Sequence, residues 1–197
     1  MNAYTILYQS VPDWEHVPVV ELQHTGWLPE APIRAWAQLC RDDQGLWVRM
    51  EAEETAIRAT LTQPLDEVYT DSCLEFFLAP DPSDNRYLNF EFNPLGNLYL
   101  GFGSTRPTRV RQIVGDKELL FHPQPFFNEK GWGIVYHIPF AFIRNYFPGF
   151  EPCGEMAGNF YKCGDLTEQP HYLSWRVIRT ATPDFHRRQD FGTLIFK

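Results

Sequence analysis

The sequence predicts an all-β fold, an antiparallel β-sandwich with immunoglobulin-like or jelly-roll-like layering and one short helix. Short segments of alternating apolar and polar residues recur between turn signals, as in 46–51 and 131–139. In addition, 16 prolines and 13 glycines are spread through the chain, which disfavours long helices. We therefore expect residues 1–197 to form a single β-sandwich domain.

Turn and strand patterns give the order of the elements. A loop rich in proline and Asx residues is expected at 79–85, a turn at 94–97, and a further loop at 150–156. The segment 140–147 has room for the short helix, because Pro148 and Gly149 follow it and end it. The predicted strands are 46–51, 71–78, 88–93, 98–102, 131–139, 159–163, 172–178 and 191–196.

Length and charge fit a soluble protein that binds a neutral ligand. A chain of 197 residues with 44% hydrophobic side chains can bury a sizeable core. A formal net charge of −8 disfavours nucleic acid and anionic membrane surfaces as partners, since both carry charge of the same sign. The N-terminus lacks a basic segment followed by an apolar one, and no apolar run reaches the length of a membrane span. We expect a cytoplasmic protein; its oligomeric state is left open.

Two neighbouring predicted strands carry polar side chains on one face. Positions 74, 76 and 78 of the first, and 88, 90 and 92 of the second, are apolar and point to the core. The opposite face of the pair carries Glu75, Asn89, Glu91 and Asn93. An ordinary solvated sheet face would also be polar, but asparagine is depleted in strands. Because carboxylates and amides form directional hydrogen bonds with hydroxyl groups, we expect these four side chains to line one accessible, sugar-binding depression.

Several segments together resemble one known family. They are VYTDSCLEFF at 68–77, NFEFNPLG at 89–96, NFYKCGD at 159–165, SW at 174–175, PDFH at 183–186 and FGTL at 191–194. In these segments the chain resembles the family 9 carbohydrate-binding modules, and specifically the family-9-like proteins found as free-standing chains. The resemblance covers most of the chain. It implies a β-sandwich without catalytic activity that binds a mono- or oligosaccharide, or the reducing end of a chain, between two aromatic side chains.

The resemblance also implies which aromatic residues form this clamp. The first clamp position lies six residues before the strand glutamate and is occupied by Tyr69. The second lies shortly before the closing FGTL strand, where this chain has Phe185, followed by His186 as a further candidate contact. Both clamp positions are tryptophan in the founding modules, so we expect this chain to bind its sugar more weakly or to prefer another sugar. Trp175 is a third candidate, for which core and slot wall remain open.

The polar positions of the family can be carried over in the same way. Glu75 matches the strand carboxylate of the family, and Asn89 and Asn93 match its amide positions. Glu91 stands where the family has arginine, which reverses the charge at that position. Lys162 aligns with a family amide, and we expect it to pair with Glu91; an ordinary surface ion pair is the alternative.

An enzyme is the alternative function. Glu75 and Glu91 on paired strands could approach the spacing of about 5 Å that retaining glycoside hydrolases use. However, the sequence has no G-x-S-x-G motif and no conventional zinc signature. We therefore predict a protein that is not an enzyme.

Metal and cofactor sites have little support in the sequence. The loop 81–85 offers oxygen ligands, and the family can carry structural calcium, but the loop lacks EF-hand spacing. Haem-binding relatives in the wider superfamily use methionine and histidine, and Met50 and Met156 are in no recognisable haem context. No cofactor is predicted, with structural calcium left open. The cysteines lack CxxC spacing, and a Cys153–Cys163 bridge would require export.

Overall fold

The computed structural model describes residues 3–28 and 32–197. This part of the chain contains two short α-helices, α1 (Lys117–Phe121) and α2 (Phe140–Tyr146), and two turns of 3₁₀-helix at Val68–Thr70 and Arg188–Asp190. The strands are β1 (Ala3–Tyr8), β2 (Val19–Glu21), β3 (Arg34–Arg41), β4 (Gly45–Glu53), β5 (Cys73–Ala79), β6 (Tyr87–Phe92), β7 (Leu98–Gly103), β8 (Val110–Gln112), β9 (Gln124–Asn128), β10 (Gly131–Pro139), β11 (Glu155–Cys163), β12 (Tyr172–Ser174) and β13 (Gly192–Phe196).

The strands form two layers that share strand β1. One layer has the order β8-β7-β6-β5-β11-β13-β1, and the other has the order β1-β3-β4-β10-β9. The first four residues of β1 pair with β13, and its last two, Leu7 and Tyr8, pair with β3. Both pairings are parallel, whereas every other strand pair is antiparallel. The predicted all-β sandwich is confirmed, with a strand that crosses between its layers.

Aromatic side chains fill the space between the two layers. Phe76 of β5 stacks on Phe160 of β11 with ring centroids 4.6 Å apart. Across the sandwich, Phe92 of β6 contacts Tyr136 of β10 at 4.7 Å. These residues have the strand parity that the alternating pattern assigned to the core. Residues of the other parity on β5, β6 and β11 therefore point to the outer face of the first layer.

Some local predictions are confirmed. Helix α2 buries Phe140, Phe142 and Ile143, and it ends before Pro148. The turn at 94–97 is closed by a hydrogen bond from the Gly96 backbone nitrogen to the Asn93 carbonyl oxygen, and Gly96 has a φ of +71° that favours glycine. In the described ranges, no helix combines the length and the apolar character that crossing a membrane requires.

Other local predictions need correction. A second helix, α1, forms where no element was predicted; Asp116 caps it by accepting a hydrogen bond from the Leu119 backbone nitrogen. Strand β11 begins at Glu155, inside the predicted loop 150–156, because Glu155–Gly158 pairs with β13. Strand β12 ends at Ser174 rather than at 178. In the last two cases the neighbouring strand, rather than the local residues, sets the strand end.

Candidate functional site

The outer face of the first layer carries a cavity of about 230 Å³. Its floor is formed by strands β5, β6 and β11, and its rim by the segments that follow β7 and β12. The lining residues are Trp27, Tyr69, Glu75, Glu91, Arg106, Arg109, Cys163, Asp165, Tyr172, Pro183, Asp184, Phe185 and His186. Of the eight predicted site residues, the cavity therefore brings together Tyr69, Glu75, Glu91 and Phe185.

Two carboxyl groups form the floor of the cavity. Glu75 on β5 and Glu91 on β6 are directly opposite each other across the antiparallel strand pair. Each side chain is only 2% exposed. Burial raises the pKa of Glu75 to about 7, and burial together with the nearby Glu75 charge raises the pKa of Glu91 well above its usual value. Near neutral pH this pair therefore retains at least one proton and can both donate and accept hydrogen bonds.

Asn89 lies behind this floor rather than in the cavity. Its Nδ2 donates a hydrogen bond of 2.8 Å to Oε1 of Glu91. Gly101 is its partner on β7, and a Cβ atom there would lie 2.4 Å from the Asn89 Oδ1. Glycine thus makes room for the amide that orients Glu91. Oε2 of Glu91 and Oδ1 of Asn89 are buried and have no hydrogen-bond partner among the described residues.

Asn93 has a structural role, and its predicted place in the depression is wrong. Its Nδ2 donates to the Leu61 carbonyl oxygen and to Asp71 Oδ2, and its Oδ1 accepts from the backbone nitrogens of Leu95 and Asn97. These four bonds hold the turn after β6 against the segment before β5. The prediction from strand parity failed because Asn93 lies one residue beyond the end of β6, where its side-chain amide forms hydrogen bonds within the turn.

Aromatic rings line the walls in two groups. Tyr69 packs edge-on against Tyr99, with ring centroids 6.3 Å apart. The other group surrounds Phe185, which lies 5.7 Å from Trp27 and 6.0 Å from Tyr172. Phe185 is also stacked on Tyr161 at 4.1 Å, so one face of its ring is covered. Tyr69 and Phe185 both line the cavity, and Trp27 and Tyr172 are wall residues that the sequence reading missed.

Of the two alternatives left open for Trp175, core and slot wall, the structure shows the core, so its place among the candidate sugar contacts is not supported. It is 6% exposed and contacts Tyr4 and Phe160, with ring centroids 6.4 and 5.9 Å away. Its ring also lies over Gly192, where an added Cβ would come within 2.7 Å.

Lys162 lies on the opposite face of β11, so its predicted pairing with Glu91 is wrong. Its Nζ lies 3.1 Å from Oε2 of Glu54 and 2.6 Å from Nε2 of His171. Lys162 shares the parity of Phe160, which points inward. Burial, followed by the Lys162 charge, lowers the pKa of His171 to about 4, so its neutral ring accepts the lysine hydrogen bond. The segment NFYKCGD thus carries both an inward ion pair and, at Cys163, an outward cavity residue.

Arg109 and His186 form one wall of the cavity. One Arg109 nitrogen lies 2.9 Å from His186 Nε2, and another donates to the Tyr99 hydroxyl oxygen at 2.9 Å. Burial and the Arg109 charge lower the pKa of His186 to about 2, so its ring is neutral and Nε2 accepts. The other His186 nitrogen, Nδ1, contacts the Tyr87 hydroxyl group at 2.8 Å. Arg109 lies in the irregular segment between β7 and β8. Because strand alternation does not apply there, the sequence pattern did not indicate that its side chain faces the cavity.

Comparisons with known proteins place the chain in a family. The sequence model of carbohydrate-binding family 9 matches residues 4–196. Among curated protein sequences, none matches the chain. A presumptive carbohydrate-binding protein from Bacteroides uniformis ATCC 8492 is 24% identical; the match covers 100% of this chain and 99% of that one, with a TM-score of 0.86.

Two solved structures of a family 9 carbohydrate-binding module from Caldicellulosiruptor kristjanssonii are also similar in fold. In the complex with cellotriose, the identity is 14%, the TM-score is 0.67, and the match covers 99% of this chain and 93% of that one. In the complex with glucose, the identity is 14%, the TM-score is 0.65, and the coverage is 99% and 95%. Since the family model spans nearly the whole sequence, the chain belongs to carbohydrate-binding family 9.

Proposed function

We propose that the cavity binds a sugar without chemically changing it. The single observation that carries this proposal is the buried Oε2 of Glu91, which belongs to a cavity-lining carboxyl group and lacks a hydrogen-bond partner among the described residues. A buried polar atom without a partner is costly, and a ligand hydroxyl group would satisfy it. The aromatic walls offer flat apolar surface to the C–H face of a sugar ring. Family membership and the sugar complexes of the two family 9 structures support this choice of ligand.

The shape and chemistry of the cavity favour the end of a sugar chain or a free sugar. A cavity with a volume of about 230 Å³ suits one sugar ring. The protonated and the ionised carboxyl groups of Glu75 and Glu91 can together donate to and accept from neighbouring hydroxyls on the same ring. Arg109, oriented by two neutral partners, supplies further donors.

The arrangement of the two carboxyl groups favours binding over hydrolysis. Glycoside hydrolases place their two carboxyl groups on either side of the bond that breaks. Glu75 and Glu91 are direct cross-strand neighbours on one floor, so both approach a ligand from the same side. Moreover, their pKa values are both raised, whereas a hydrolase separates the pKa values of its acid and its nucleophile.

Calorimetric titration with glucose, galactose, xylose, cellobiose and cellobiitol tests the proposal. We expect saturable binding of at least one sugar, and weaker binding of cellobiitol than of cellobiose if the reducing end enters the cavity. Glu91→Ala should weaken binding by about tenfold or more, the value of a lost hydrogen bond to a carboxyl group. Glu155→Ala, an exposed position on the far end of β11, is the matched control.

The isosteric variant Glu91→Gln separates binding from folding. It keeps the side-chain volume and one oxygen, so it should fold with a melting temperature close to that of the wild type. The absence of binding by the wild-type protein to all five sugars would overturn the proposal. Unchanged affinity in Glu91→Ala would show that the sugar binds elsewhere.

A further inference from the structure

Two thiols and a carboxyl group converge at the floor of the cavity. Cys73 on β5 and Cys163 on β11 are direct partners across the antiparallel strand pair. Glu75 lies two residues after Cys73 and therefore on the same face of β5. One ligand atom from each of the three residues lies within 4.8 Å of the other two, and the Cys163 Sγ is 2.9 Å from the Glu75 Oε1.

This convergence is fixed by regular strands. Strand register places the two cysteines side by side, and all three residues are at most 2% exposed. The cysteines are free thiols. A metal ion that draws the three atoms together needs only side-chain rotation, because the strand backbone already holds the residues as neighbours.

The donor set selects a particular class of metal. Thiolate sulfur binds zinc and other soft or borderline ions, whereas calcium and magnesium prefer oxygen alone. We propose that Cys73, Glu75 and Cys163 bind one zinc ion at the floor of the cavity, with its fourth coordination position open to the cavity. Three protein ligands and one open position are the arrangement of zinc sites that bind a further small molecule. Cys163 and Glu75 both line the cavity, which places the open position there.

The charges around the cluster are compatible with a bound ion. Burial raises the pKa of Cys73 to about 12 and the pKa of Cys163 well above its usual value, so without a cation both thiols keep their protons. Binding of Zn²⁺ releases the thiol protons, and any proton on Glu75, to solvent. Two thiolates, one carboxylate and Zn²⁺ leave one net negative charge. Lys162 and Arg109 lie close enough to attract that charge, since both lower the pKa of Glu75.

Metal titration of the reduced protein tests the proposal independently of sugar binding. After treatment with a chelator and a phosphine reductant, we expect one Zn²⁺ per chain with micromolar or tighter affinity, and a higher melting temperature with zinc. Co²⁺ should give thiolate charge-transfer absorption in the near ultraviolet and visible bands typical of a four-coordinate ion. Cys73→Ser and Cys163→Ser should each remove the charge-transfer signal from the site, and Glu75→Gln should lower the affinity.

The control is the double variant Cys40→Ala/Cys153→Ser, which removes the two cysteines outside the cluster. It should bind zinc as the wild type does. Absence of stoichiometric zinc binding by the wild type would overturn the proposal, whether or not the serine variants fold. Retention of the cobalt signal in both serine variants would also overturn it. A sugar titration with and without zinc distinguishes this proposal from the proposed function: sugar binding without zinc binding would leave only the latter.

Discussion

The carboxyl groups of Glu75 and Glu91 are direct neighbours across the β5–β6 strand pair, and each is 2% exposed. Two acids that are buried side by side resist ionisation, because burial and mutual repulsion both disfavour the second negative charge. This relationship links the stability of the protein to pH.

We expect the two acids to make stability fall as pH rises from 5 to 8. The pKa of Glu75 is raised from 4.5 to about 7, so in this range the folded state holds more protons than the unfolded state. Stability then decreases with pH, and the contribution that is fully present below about pH 4.5 is lost as pH rises through about 7. For Glu75 it amounts to roughly 1–3 kcal/mol.

Urea unfolding of the wild type and of Glu75→Gln at several pH values, both metal-free in the presence of a chelator, checks this expectation. Glutamine does not titrate, so the difference in unfolding free energy between the two proteins should change with pH in the expected direction. Comparing the two proteins cancels the opposing contributions of His171 and His186, whose pKa values are lowered. A difference that is constant from pH 5 to 8 would show that Glu75 titrates normally.

Loss of the buried ion pair between Lys162 and Glu54 should lower the stability of the protein strongly without directly changing the contacts of a ligand in the cavity. Lys162→Met should lower the unfolding free energy by about 3–5 kcal/mol, because it leaves the Glu54 carboxylate buried without its cation. The double variant Glu54→Gln/Lys162→Met should recover much of this loss. Urea unfolding of the single and double variants tests this, and equal losses in the two would contradict the ion-pair explanation.

The close approach of Gly101 to Asn89 predicts that a substitution on β7 disturbs the cavity floor. In Gly101→Ala, the new Cβ would lie 2.4 Å from the Asn89 Oδ1 and displace the amide that donates to Glu91. We expect a loss of about 1–3 kcal/mol in unfolding free energy and weaker sugar binding. Gly115→Ala is the matched control, since nothing lies within 4 Å of a Cβ there. Equal melting temperatures for the two variants would show that the floor adjusts freely.

Hydrolysis assays test the alternative function. We expect the protein to release no more nitrophenol from aryl glycosides than a buffer control, because Glu75 and Glu91 lie on one side of any ligand in the cavity. The assay should span pH 5 to 8, since the pKa of Glu75 lies near 7. Turnover that disappears in Glu75→Gln would instead establish the chain as a glycoside hydrolase.

Residue patterns predicted the layers of this protein better than its cavity. Alternation along β5 and β6 separated core from outer face correctly, because the period of a strand is fixed by its backbone. The same rule placed Glu75 and Glu91 together. It did not distinguish Asn89 and Asn93 from cavity residues, since parity gives the side of a sheet and not what covers it.

The remaining errors come from contacts that join distant parts of the chain. Lys162 points inward because its Nζ contacts Glu54 and His171 there, and Glu54 lies 108 positions earlier in the sequence. Trp27 joins the cavity wall from a segment 158 positions before Phe185, its ring neighbour. Such pairings depend on tertiary packing, which local residue patterns do not reveal.

The aromatic walls of the cavity should contribute to sugar binding. Tyr69→Ala and Phe185→Ala should each weaken sugar binding by roughly threefold to tenfold or more, because a ring contact contributes about 0.5–1.5 kcal/mol beyond area burial. Their effects on folding should differ. Tyr69 touches Tyr99 only edge-on, whereas Phe185 is stacked on Tyr161 at 4.1 Å and also contacts Trp27 and Tyr172.

We therefore expect Phe185→Ala to lower the melting temperature more than Tyr69→Ala does. Calorimetric titration beside thermal melts separates the two effects, and Phe127→Ala, an exposed ring on β9 at 60% exposure, controls for loss of an aromatic side chain. A large drop in melting temperature for Tyr69→Ala would show that this ring is structural. Normal sugar binding by both cavity variants would place the binding site away from these walls, since a ligand between the rings must lose contact when either ring is removed.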